Sequence, residues 1–393
     1  MNAGLGAVFG VREFRYIWFA ELGSVVGDQL ARVALAVLVY GRTGSALWAA
    51  FTYALTFLPA LLGGVLLSWM ADRYRRREVM ITADLLRAGL VAAMAIPRLP
   101  LPVLCVLLVG VVLLGSPFRA AQGALLPEVL PGELYERGLA VRQITSQTAQ
   151  LAGFGAGGVL LAAVSPTTAL LADAVTFLVS GALLRLGLAD RPAKEKKQSG
   201  PRRTAPVFGT IFKDRRRRTL LLFAWLIGWY VVPEALAAPY ADQLGAGPVA
   251  VGLLMASVPF GSVLGAWVFV RFVPLEVRSS LIGVLAVCAG LPLALCLLRP
   301  GLVGTLVLWG LSGAFATAYM LQAQADFVRA TPDADRGRAV GLASSGTVAA
   351  QGIAVVVGGL LADMADPATA VAVAGLTGAL LSVPCAVTWH QAN

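Results

Sequence analysis

Apolar runs close to the length of a bilayer-spanning helix recur along the whole 393-residue chain, and no other feature restricts its fold as strongly. A hydrocarbon core offers no partner for backbone N–H and C=O groups, so a chain of this kind must satisfy them within helices or a closed barrel. The runs are long and show neither strict alternation nor strand-sized units, which excludes a barrel. With 58% hydrophobic residues, 13% charged residues and a mean hydropathy of +0.79, the sequence specifies an all-α integral membrane protein.

Breaking the hydropathy at charges, Pro and Gly gives twelve spans, near 15–40, 46–70, 79–97, 101–122, 141–164, 167–188, 219–241, 248–272, 279–298, 302–325, 338–363 and 368–389. The polar interval 189–218 divides them into a six-helix half at 1–188 and another at 219–393. Residues 191–204 have linker composition, and 206-PVFGTIFKDRRRR-218 fits a short amphipathic helix on the membrane surface. If the N-terminus is cytoplasmic, 25 Lys and Arg fall on the inner side and three on the other, with Arg32, Arg87 and Arg185 inside spans. The positive-inside rule then places both termini of this multi-pass protein in the cytoplasm. The net charge of +10 reports orientation and affinity for anionic lipid, not for nucleic acid.

The chemistry that the sequence excludes is as informative. Its single histidine, His390, lies near the end, so no histidine relay or multi-histidine metal site can form in the membrane. Cys105, Cys288, Cys296 and Cys385 sit in apolar runs as packing residues. No P-loop, GxSxG or HExxH occurs, so neither an enzyme nor a self-contained ATP-driven pump is expected, and no cofactor or metal. A short basic stretch leads directly into the first span without a separate signal peptide.

The halves echo one another: 19-FAELGSVVGDQLA-31 and 223-FAWLIGWYVVPEALA-237 each open Phe-Ala-x-Leu and place an acid in mid-span. Such internal repetition is the mark of transporters that bind cargo at a repeat interface. Ionised groups at membrane depth cost several kcal/mol, roughly 2.5–3.5 on insertion scales, so each needs a partner or a role. Glu21, Asp28 and Arg32 share one face of span one, with Arg32 four residues beyond Asp28, and Asp28 is the candidate proton carrier with Arg32 as its tuner. A static Asp28–Arg32 pair is the competing reading. Glu234, beside Pro233 and near Trp229 and Tyr230, is the counterpart in the second half, suited to a proton or a cationic amphiphile, or else to an aqueous vestibule. Asp173 on span six is a further candidate.

In the loop after span two, 72-DRYRRR-77 resembles the signature loop Gly-x-Leu-x-Asp-Arg-x-Gly-Arg-Arg of the major facilitator superfamily. Asp72, Arg73, Arg76 and Arg77 are in register, whereas Ser68, Met70 and Arg75 replace Gly, Leu and Gly. With 84-DLLRA-88, 116-SPFRAAQGALLPEVLP-131 and 332-PDADRGRAVGLASSG-346, the chain is similar to the bacterial drug and siderophore exporter branch, which includes macrolide efflux proteins and the enterobactin exporter. A departure lies at 153-GFGAGG-158, where Phe154 replaces the proline of the exporter signature and the glycines read as helix-packing positions.

The resemblance implies the major facilitator fold, twelve helices in two pseudo-symmetric halves. It implies a proton-driven exporter of a hydrophobic or amphipathic small molecule in the cytoplasmic membrane of a bacterium, acting as a monomer. Asp72, Arg73, Arg76 and Arg77, completed by Asp84 and Arg87, would form a cytoplasmic gate latch. An importer or lipid carrier on the same fold, or a non-transporting receptor or scaffold, are the alternatives.

Overall fold

The computed structural model describes residues 5–192, 207–332 and 335–391. Helices account for nearly all of them, and no strand occurs among the described residues. The helical passages are α1 (Arg12–Thr43), α2 (Ala46–Arg73), α3 (Arg76–Met94), α4 (Leu101–Val129), α5 (Glu133–Ala163), α6 (Pro166–Gly187), α7 (Arg215–Gln243), α8 (Pro248–Phe272), α9 (Leu275–Leu298), α10 (Gly301–Ala330), α11 (Arg336–Met364) and α12 (Pro367–His390). Nine of these are long and apolar enough to cross a membrane, and the bent α7 makes a tenth. The remaining two, α3 and α5, fall where the sequence places spans three and five, and they carry the charges that matter below. A seven-residue helix, Val207–Lys213, precedes α7, while most of the linker reading at 191–204 lies outside the described residues.

Local chemistry explains the ends and breaks. Ser165, Asp214 and Asp366 each cap a helix by accepting a backbone N–H three residues on, two of them with proline at the first helical position. Between α1 and α2 the chain reverses at Gly44, whose φ of +62° suits a residue without Cβ. Segment α2 is interrupted around Leu55–Phe57 just before Pro59, and α7 passes through a 3₁₀ turn at Ile227–Val231 and bends 46° between Ala235 and Ala237. Pro233 and Pro239, which remove backbone donors on either side of that bend, account for it.

The chain forms two compact units. The first comprises Met1–Leu38 with Leu55–Ser199, and the second Val39–Ala54 with Gly200–Asn393. In the first, α3 packs on α4 and α6, and the part of α2 after its break packs on α4. An apolar cluster there gathers Phe14, Ile17, Met80, Phe118, Leu126 and Leu184. In the second, α8 packs on α10, α9 on α12 and α10, and the helix Ala46–Ala54 on α11. An aromatic ladder, Phe223 to Tyr319 to Tyr230, runs through that core with Tyr240 edge-on to Trp309.

Candidate functional site

In the first unit, α1, α3, α4 and α6 surround a cavity of about 90 Å³, room for several waters. Its walls are mostly apolar, yet Asp28, Arg32, Arg87, Arg119 and Asp173 all line it. Gly27 makes the arrangement possible: a Cβ there would stand 2.3 Å from Asp173 Oδ1 and 2.5 Å from Thr176 Oγ1, so only a bare backbone lets α6 bring its acid against α1.

Arg87 is the centre of the cluster. Its Nη2 donates to both carboxylate oxygens of Asp28, at 3.1 and 3.2 Å, while Nη1 lies 3.8 Å from Asp84 Oδ1. The guanidinium stacks on Phe177, 4.0 Å from its ring centre. Asp84 is fully buried, accepts from Ser180 Oγ at 2.6 Å, and leaves Oδ1 without a hydrogen bond. Asp28 keeps 35% of its side chain exposed, so of the two acids on Arg87 only Asp28 stays within reach of water.

The sequence pairing of Asp28 with Arg32 is replaced: Asp28 takes Arg87 from α3, because an inter-helix guanidinium can meet both oxygens at once, and Arg32 faces the cavity instead. Glu21 separates from Asp28 as well. It holds Arg142 of α5 by two bonds of 2.6 and 2.8 Å, and Arg142 also donates to Gln122 of α4. Asp84 and Arg87, expected to complete the loop latch, belong to the buried cluster instead. The loop arginines turn elsewhere: Arg76 to Glu128 and the Ala124 carbonyl, Arg77 to the Arg185 carbonyl, and Arg73 over Trp69. Asp72 is exposed.

Arg119 and Arg142 were missed as site residues because the charge count assigned them to the inner loop. Both lie within helices, and moving them leaves 23 against three, so the asymmetry stands. Arginine inside an apolar run, in 116-SPFRAAQG-123, was the available signal.

In the second unit, Glu234 sits at the bend of α7 and accepts from Tyr53 at 2.6 Å. Two further acids hold the same hairpin: Asp242 accepts from Tyr40 at 2.9 Å, and Asp363 accepts from Ser45 Oγ at 2.5 Å and from the Ala46 N–H at 2.6 Å. Gly359 of α11 abuts Leu47 and Ala50 of the hairpin. Trp229 is half-buried, and Tyr230 is spent on packing, donating to the Ala286 carbonyl at 2.7 Å. Apart from Glu234, none of this hairpin network, nor Asp326, which takes Ser279, Gln322 and Arg329, was singled out in the sequence.

A bundle of bilayer-length helices that keeps a charged, water-reachable cavity inside its spans has the build of a multi-pass membrane transporter. The chain belongs to the Major Facilitator Superfamily, whose family model matches residues 17–295. The multidrug efflux pump Tap of Mycobacterium tuberculosis is 26% identical over 365 residues, 89% of this chain and 87% of that protein. Macrolide efflux protein A of Streptococcus pyogenes is 30% identical over 125 residues, 31% of each chain. In fold, the crystal structure of a bacterial homologue of the iron transporter ferroportin, in an inward-facing state, superposes with a TM-score of 0.71 at 18% identity, covering 96% of this chain and 98% of that one.

Proposed function

We propose that this transporter is a proton-coupled exporter of a hydrophobic or amphipathic small molecule, with Asp28 as the proton-exchanging group. The observation that carries the proposal is the place of Arg87, bonded to the water-reachable Asp28 and 3.8 Å from the buried Asp84. Protonating Asp28 removes its negative charge. The guanidinium can then turn to Asp84, 3.8 Å away, whose Oδ1 is open. Because Asp28 is on α1 while Arg87 and Asp84 are both on α3, moving Arg87 from Asp28 to Asp84 unties α3 from α1, a local event able to bias a two-state carrier. Export direction is supported by the efflux relatives.

Glu234 then holds the hairpin of the second unit, through Tyr53, and is not a second proton site. The loop Asp72–Arg77 remains the proposed cytoplasmic latch, with both termini in the cytoplasm of a bacterial cell, anionic lipids at the basic surface, and a monomer as the working unit. Arg76 and Arg77 fix that loop to α4 and α6, which leaves Asp72 and Arg73 as its exchangeable members.

The test is proton movement in proteoliposomes under an imposed pH gradient. Wild-type protein should move protons on addition of a transported drug, and Asp28→Asn should abolish that movement. Substrate-dependent proton flux that persists in Asp28→Asn would sink the assignment, and flux lost equally in Asp72→Asn would argue against separating coupling from latch.

A further inference from the structure

The second unit holds a cavity of a different kind. Between the start of α7, the end of α10 and the start of α11 lies a space of about 360 Å³, within the range of small-molecule pockets. Alanines on all three helices, Ala224, Ala323 and Ala343, keep it open. Most remaining walls are Leu, Val, Met and Phe. Three neutral polar groups face in: Gln324, Ser344 and Thr347. No hydrogen bond among the described residues engages the side chains of Gln324 or Ser344, while Thr347 spends its proton on the Ala224 or Ala343 carbonyl and keeps lone pairs to offer.

Among the described residues, no ionisable side chain lines this cavity. Asp326, two residues from Gln324, is turned to Ser279, Gln322 and Arg329. The lining would therefore leave an ion unpaired at a cost of several kcal/mol, and a lipid tail would offer Gln324 and Ser344 nothing to bond. A molecule that is uncharged where it enters, largely apolar and carrying one or two hydrogen-bonding atoms satisfies every wall.

We propose that this cavity receives the uncharged, apolar body of the transported molecule, an assignment that rests on the export reading for calling the ligand cargo. Charge recognition is then the business of the first unit's cavity, with its five charged side chains, and apolar recognition that of the second.

The probe is Nile red, an uncharged dye whose emission shifts to the blue in apolar sites, titrated into the purified full-length protein in phosphatidylcholine nanodiscs. Saturable binding above empty discs is expected. Ala343→Trp, which fills the space, should weaken it at least about tenfold, and Glu133→Gln, an exposed position outside both cavities, should leave it within about twofold. If Ala343→Trp fails to fold, Gln324→Leu with Ser344→Ala, at unchanged melting temperature, should weaken binding by about fivefold. Binding that is absent, that survives Ala343→Trp, or that the cation ethidium displaces would overturn the proposal. Loss of proton-linked transport with Nile red binding intact would strike the export reading alone.

Discussion

Replacing Arg87 with Met keeps most of the side-chain volume and removes the charge that Asp28 and Asp84 share. The two acids should respond unequally. Asp84 has no exposed side-chain surface and would face only Ser180, so breaking its pair should cost about 3–5 kcal/mol. Asp28 is 35% exposed, and its loss should resemble that of a surface pair, about 0–1 kcal/mol. For a domain the size of this unit, each kcal/mol moves the midpoint by roughly 2–4 °C, so Arg87→Met should melt about 6–20 °C lower. Tryptophan fluorescence of detergent-purified protein, compared at one scan rate because membrane proteins of this kind unfold irreversibly, is the assay. Adding Asp84→Asn should restore most of the loss, and adding Asp28→Asn only about 1 kcal/mol of it. The reasoning fails if Arg87→Met melts within about 3 °C of the parent, or if Asp28→Asn rescues better than Asp84→Asn.

Three other outcomes are expected. Tyr53→Phe deletes a hydrogen bond to a carboxylate, worth about 1.5–3 kcal/mol, and Asp363→Ala deletes two. Each should raise maleimide labelling of a cysteine placed at Ala46, and unchanged labelling in both would dismiss the hairpin as a held element. Asp366, outside the spans, is pushed up by burial, but bonds from Thr369 and Gln243 and the charge of Arg299 outweigh this and hold its pKa at about 2. Because that value lies below the unfolded one, its stabilisation is complete above about pH 4 and lost as pH falls through about 2; the melting difference between wild type and Asp366→Ala should be constant from pH 5 to 7 and shrink towards pH 2. Gly261 meets the Gly310 carbonyl on α10 so closely that Gly261→Val must push α8 and α10 apart, with a loss of at least about 1–3 kcal/mol read as lower folded yield by size-exclusion chromatography.

The spans were legible because a bilayer imposes length and composition on each helix independently, and even α3 and α5, the least apolar, could be placed by their neighbours. The acids Asp28 and Asp173 were legible for the same reason: a charge in an apolar run must be explained. Which base meets which acid was not. Arg32 lies four residues from Asp28 in sequence, but helix packing brings Arg87 to it from 59 positions away. Likewise Glu234 looked paired with Trp229 and Tyr230 along its own helix, whereas the bend in α7 turns it to Tyr53, 181 residues distant. Asp242 and Asp363 gave no signal, since acids near span ends look like ordinary solvated residues until a partner is seen.

The hairpin around Gly44 also sets a problem in time. Ser45 finds its carboxylate 318 positions further along the chain. At a synthesis rate of about 5–20 residues per second, these groups wait roughly a quarter of a minute to a minute for Asp363 to be made. The joined ends of α1 and α2 are thus the first part of the second unit to enter the membrane and among the last to be finished. A ribosome stalled before α11 would leave a nascent chain whose early helices are inserted but whose turn is still open, a state that quality-control proteases can recognise from outside the bilayer.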